Sequence, residues 1–189
     1  MRFAIDAAGW AHGARRIESP HRDARPASTP IDLLVVHAIS LPPGVYGGDA
    51  VERLFTGRLD PAAHPSFASL AGLRVSAHFL IERSGGLVQF VGCGERAWHA
   101  GQSAFDGRVR CNDFSIGIEL EGVDSAPFEA AQYGTLIPLA RSLARTYPLR
   151  AVRGHSDIAP GRKTDPGPHF DWRRFARGAA LDWSLPAGG

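Results

Sequence analysis

Three side chains in this sequence, His37, His155 and Asp165, are of types that could together bind one metal ion. Two imidazoles and one carboxylate leave the fourth tetrahedral position for water, which is the arrangement of a catalytic zinc site. Such a site lowers the pKa of water towards neutrality and so supplies hydroxide as a nucleophile. His155 and Asp165 share one stretch, RGHSDIAPGRKTDPGPHFDW, at 153–172, whereas His37 lies far upstream. Spacing this wide is weaker than an HExxH helix motif, and a satisfied core histidine remains an open reading of His37.

Other residues fit a zinc hydrolase. Glu119 could act as general base on the attacking water and pass the proton to a leaving amine. Lys163 could stabilise the oxyanion of a tetrahedral intermediate. It is the single lysine among 21 basic residues, so a compact ammonium stands where this chain otherwise uses arginine. Trp98 and Phe105, with Arg74, Arg110 and Arg162, could hold an anionic, sugar-bearing peptide, since arginine suits bidentate carboxylate contacts. For each of these arginines taken alone, a solvated surface position competes with binding.

These residues need elements to position them. In 153–172, Pro160, Pro166 and Pro168 with Gly154, Gly161 and Gly167 rule out a long helix. The segment must be held by side-chain bonds or a bound ion. IDLLVVH, 31–37, is a continuous apolar run that reads as a central strand ending on His37. An ionisable residue at the C-terminal end of such a strand stands where open sheets build sites. SIGIELEG, 115–122, alternates, with Ile116, Ile118 and Leu120 on one face and Gly117, Glu119 and Glu121 on the other. The glycine on the acidic face argues that this face looks into a cleft. SAHFLIE, 76–82, and LVQFVGC, 87–93, flank Arg83-Ser84-Gly85-Gly86 as a hairpin, with His78 structural.

The spacing predicts a short helix at 47–57 and a loop with a short helix at 58–75. The main amphipathic helix is expected at 127–147, kinked at Pro138 or starting after it. A strand at 151–155 feeds the irregular stretch, a short helix lies around 173–177, and the tail at 186–189 is expected to be disordered. Residues 95–113 read as a long loop carrying Trp98, His99, Phe105 and Arg110. Residues 1–30 read as a loop-rich wrapping segment with His12 and His21 solvated.

Composition sets the frame. A chain of 189 residues, 44% hydrophobic and 21% charged, reads as one ordinary globular domain. A net charge of +2 gives no electrostatic case for nucleic acid. The start, MRFAIDAAGWAHGARR, has no apolar run of signal-peptide length and no later stretch approaches a membrane span, so a cytoplasmic protein is expected. Cys93 and Cys111 are isolated and read as reduced packing residues.

Several longer strings carry a family resemblance: LLVVHAISLPPGVYGG, FTGRLDP, LRVSAHFLI, ERAWHAGQSAFDGR, RCNDFSIGIELEG and GHSDIAPGRKTDPGPHFDW. Across roughly residues 9–175 the chain resembles the AmpD-type 1,6-anhydro-N-acetylmuramoyl-L-alanine amidases. These are zinc enzymes of peptidoglycan recycling in Gram-negative bacteria, within the amidase-2 superfamily that also holds peptidoglycan recognition proteins. The resemblance implies a single α+β domain over 1–189, with its core at about 30–175. Its central mixed β-sheet is flanked by helices and carries the zinc site in a surface groove. It implies one Zn2+ on His37, His155 and Asp165, Glu119 as base and Lys163 as the oxyanion-stabilising cation. It places the substrate groove at Arg74, Ala97, Trp98, Phe105, Arg110 and Arg162. The implied substrate is a small anhydromuropeptide, cut between the lactyl group and L-alanine in the cytoplasm by a monomer. No nucleic acid or membrane partner is implied, and in some bacteria the activity influences β-lactamase induction. Two positions depart from the pattern: Ala38 stands where relatives usually carry Asn, and Phe105 where they often carry Tyr.

Three other readings compete. An exported amidase would call for a signal sequence. A non-catalytic muropeptide-binding module of the same fold usually lacks a metal ligand, and here all three ligand types are present with Glu119 and Lys163. A generic metallopeptidase would cleave ordinary peptides.

Overall fold

The computed structural model describes residues 3–180 and 183–186. Its centre is a six-stranded mixed sheet, and its two longest strands are those with the clearest sequence patterns. β3 (Leu33–Ile39) is an apolar run and lies between two parallel neighbours, where both faces are covered. One neighbour is β9 (Ser115–Glu121), every residue of which is buried. The other is β10 (Ala151–Gly154). Beyond β9 lie β4 (Phe79–Ile81), parallel to it, then β5 (Leu87–Gln89), which closes the expected hairpin. The turn needs a left-handed residue, and Gly85, at φ +87, supplies it.

The alternation in β9 sorts its two faces as expected. Ile116, Ile118 and Leu120 pack in one cluster with Leu34 and Val36 of β3, against Leu136, Leu139, Ala140 and Leu143. Those four come from α2 (Ala130–Thr146), whose N-terminus is closed by Glu129 and Gln132 in a reciprocal capping box. Pro138 lies inside α2 and deprives Gly134 of its helical donor. The helix runs through it, so a start after Pro138 does not occur. α4 (Trp172–Ala179) covers the same cluster with Phe175 and Ala179.

A second apolar cluster, Leu54, Phe55, Leu80, Val88 and Phe90, seats α1 (Ala50–Phe55), which ends before Gly57 at φ +69. A 3₁₀ turn follows at Pro65–Leu70. The expected strand at 151–155 stops at Gly154, and His155 opens the short α3 (His155–Ile158).

The N-terminal segment is more ordered than its polarity suggested. β1 (Arg15–Arg16) extends the main sheet beside β5. β2 (Arg22–Ala24) pairs antiparallel with β6 (Glu95–Ala97). The ladder partners supply the order, and so short and charged a strand shows no alternation. The loop at 95–113 likewise contains a ribbon, β7 (Ala104–Phe105) with β8 (Arg108–Val109). His12 is exposed as expected, but His21 is not solvated. It stacks on Trp98 at 5.9 Å between ring centroids and meets the Val75 carbonyl through Nδ1 at 2.9 Å. Its neighbour in space, an indole, lies 77 positions away in the chain and could not be read locally. Cys93 and Cys111 are free and buried. Of the tail expected to be disordered, residues 187–189 lie outside the described residues. Among the described residues no helix is long and apolar enough to cross a membrane.

Candidate metal centre

Parallel pairing brings His37 and His155 together. Gly154 is opposite Val36 in the β10–β3 ladder, so the residue after each strand partner, His155 and His37, falls at the same level. Asp165 reaches this point because the chain folds back. Ser156 N–H donates to the Asp165 carbonyl at 2.9 Å. Gly154 admits the next residue, since a Cβ there would lie 2.7 Å from Pro166 Cδ. On the other side Thr164 Oγ1 donates to Asp124 at 2.6 Å, and Gly167 sits where a Cβ would be 2.2 Å from the Asp124 carbonyl oxygen. The prolines and glycines of this stretch thus serve a loop clamped at both ends.

The His37 and His155 Nδ1 atoms are 2.9 Å apart, and each is 3.2 Å from Asp165 Oδ2. One ligand atom from each residue can be chosen so that all lie within 4.8 Å of one another. Burial favours the neutral imidazole of His37 and lowers its pKa to about 4, although the nearby Asp165 carboxylate pulls the other way. Burial pushes the Asp165 carboxyl up, but the facing rings of His155 and His37 outweigh it and hold the group well below the usual carboxylate range. Two lone-pair nitrogens and a carboxylate oxygen converge here, a donor set that suits a borderline-soft dication such as zinc.

Glu119 stands beside His37 as its register partner in the β3–β9 ladder, on the face that carries Gly117. Its Oε2 is buried without a hydrogen-bond partner among the described residues. Burial, helped by the Asp165 charge, raises its pKa well above the usual range, and the Lys163 charge opposes that rise. Buried unpaired carboxyls are rare and mark functional positions. Glu121, two residues on, is fully engaged elsewhere. It accepts from the Arg83 and Gly47 amides and ties two loops to the sheet. Lys163 is exposed on the rim of a cavity of about 430 Å³ that also meets Ala38, Arg162 and Asp165.

The expected groove residues fall in separate cavities, and of them only Arg162 also shares a cavity with Asp165. Arg74 and Trp98 line a cavity of about 500 Å³. Arg110 and Arg162 line another of about 430 Å³. Trp98 is held by His21 and by a 3.1 Å bond from Nε1 to Asp23. Arg162 donates to the Ala100 and Gln102 carbonyls at 2.7 and 2.6 Å. Phe105 lies under the Arg153 guanidinium at 4.7 Å, and the Ala97 side chain is buried in the second apolar cluster. Neither His99 nor Ser115 stands out in the sequence, yet His99 Nδ1 lies 2.9 Å from His37 Nε2. The one signal for it is Gly117, where a Cβ would be 2.4 Å from the His99 ring.

Comparison with known proteins gives this geometry a family. The family described as N-acetylmuramoyl-L-alanine amidase matches residues 27–168. The chain belongs to this amidase family. The amidase is 59% identical over 169 residues to the 1,6-anhydro-N-acetylmuramyl-L-alanine amidase AmpD of Escherichia coli K12, covering 88% of this chain and 92% of that one. It superposes on the crystal structure of a selenomethionine AmpD derivative with a TM-score of 0.89 and 54% identity, covering 92% and 98% of the two chains. It also matches the E. coli amidase AmiD solved with anhydro-N-acetylmuramic acid-L-Ala-D-gamma-Glu-L-Lys. There the TM-score is 0.58 and the identity 34%, over 93% of this chain and 65% of that one.

Proposed function

We propose that this amidase hydrolyses the amide between the lactyl group of 1,6-anhydro-N-acetylmuramic acid and L-alanine of the stem peptide. The observation that carries the reading is the convergence of His37, His155 and Asp165 next to a buried, unpaired Glu119. The three residues would hold one zinc ion. Zinc bound there supplies a Lewis acid and makes water acidic enough to ionise near neutrality. Glu119 takes the proton of the attacking water at its free Oε2 and delivers it to the departing amine of L-alanine. Lys163, on the open rim, neutralises the oxygen that gains charge as the carbonyl becomes tetrahedral.

Around that centre, Arg110 and Arg162 would take substrate carboxylates and Trp98 with Arg74 the sugar end, while Phe105 would shape the wall and Ala97, buried, would only support Trp98 from behind. The anhydromuramyl preference is supported by identities of 59% and 52% to AmpD enzymes of E. coli and Haemophilus influenzae. The setting we propose is cytoplasmic recycling of wall fragments by a monomer. Mass spectrometry of anhydromuropeptide incubated with zinc-loaded protein tests the reading. Release of free stem peptide is expected, abolished by chelator and by Glu119→Ala. Intact substrate bound tightly would support a non-catalytic binding module instead.

A further inference from the structure

The protonation of His37 can be traced back to a group of fixed polarity. The Cys111 carbonyl can only accept, and Ser115 Oγ lies 2.6 Å from it. The hydroxyl has a single proton, so the Ser115 lone pairs face His99 Nε2 at 3.2 Å. The His99 ring therefore carries its proton on Nε2 and presents a bare Nδ1 to His37 Nε2 at 2.9 Å. Unlike the Nδ1 atoms of His37 and His155, which would share a cation, these two nitrogens belong to no common donor set, and two lone pairs would repel at that distance, so His37 is protonated on Nε2. Its Nδ1 is then bare and turned towards Asp165 and His155. His155 reaches the same state more simply, through Nε2 at 3.2 Å from the Ala100 carbonyl.

The surroundings hold His99 for this contact. Its backbone N–H and that of Ala100 both donate to Asn112 Oδ1, at 3.1 and 2.8 Å. Gly117 leaves the space its ring occupies. We infer that His99 is a positioning residue: with Ser115 it relays the polarity of the Cys111 carbonyl and fixes His37 in the tautomer that offers Nδ1 to the metal. The inference rests on the zinc reading given above. Groups that orient a ligating histidine in this way raise its basicity and set its ring angle.

The test joins spectroscopy of the unaltered protein to zinc affinity. In zinc-loaded protein labelled with 15N-histidine, NMR should show His37 and His99 both protonated at Nε2. Competition with a chelator should show zinc affinity reduced about 10–100-fold in His99→Phe, which keeps a ring and removes the acceptor. His99→Asn, whose Oδ1 replaces Nδ1 as acceptor, should recover most of the affinity. Ser115→Ala should weaken binding in the parent protein and have no effect beside His99→Asn. A His37 proton on Nδ1, or parental affinity in His99→Phe, overturns the inference while leaving zinc binding intact. Should His99→Phe not fold, the parental spectrum and the Ser115→Ala and His99→Asn pair decide alone. A parent protein that takes up no zinc overturns both this inference and the metal reading.

Discussion

His37 and Glu119 are register partners on adjacent parallel strands, so a metal-ligand type and an unpaired buried carboxyl stand side by side by virtue of one ladder. Because burial and the Asp165 charge raise the Glu119 pKa, the native state holds its proton more tightly than the unfolded chain does. A raised carboxyl favours the fold least when it ionises. Its contribution to stability therefore falls as the pH climbs above the ordinary value of 4.5.

Glu119→Gln should lower kcat by about 10²–10⁴-fold, the usual worth of a positioned acid–base group. Zinc content should stay at the parental level, and the chelated variant should be the more stable protein above neutral pH. Steady-state kinetics, metal analysis and thermal melts at two pH values check this. Parental activity would remove Glu119 from the reaction.

Lys163→Ala should act on turnover more than on binding, with kcat down about 10²–10³-fold and KM little changed. The side chain is exposed, so the melting temperature should not move. Its charge already acts on both His37 and Glu119, which places it within electrostatic reach of the centre. A loss confined to KM would assign it to substrate binding.

Zinc should stabilise the protein by mass action. At free zinc 100 times its dissociation constant the gain is about 2.7 kcal/mol. For a domain of this size that corresponds to roughly 5–10 °C in melting temperature. Chelator should reverse the shift, and His155→Ala should abolish it. The shift should shrink in acid, because the ligands must be unprotonated to bind. A variant retaining full zinc would contradict the ligand assignment.

The chelated protein should be acid-labile. Burial is the main cause that holds His37, His78 and His99 below the ordinary histidine value of 6.5, His37 at about 4. Each is neutral in the fold and charged in the unfolded chain, so stability is lost as the pH falls through 6.5 towards 4. Each histidine contributes up to about 1.4 kcal/mol per pH unit in that window, with Glu119 opposing one of the three. Urea melts between pH 4 and 7 measure the slope. A flat profile would mean that these rings ionise in place.

The sequence carried the frame of the site. β3 shows as an apolar run, β9 as an alternation, the hairpin as two apolar runs about a glycine turn and α2 as a helical period, because each pattern reflects burial. Their boundaries shifted by a few residues, as at Gly154, where His155 begins a helix. The residue types at His37, His155, Asp165 and Glu119 and the isolated Lys163 are legible too, since metal ligation and proton transfer need particular functional groups. Only the tertiary structure could show that Glu121 braces loops while Glu119 is left unpaired, for both point from one strand face. The same holds for His21 beneath Trp98 and for the His99–Ser115 chain behind His37. Those relationships depend on which distant backbone carbonyl or ring meets a side chain. Local periodicity has no term for such contacts, and the fold supplies them.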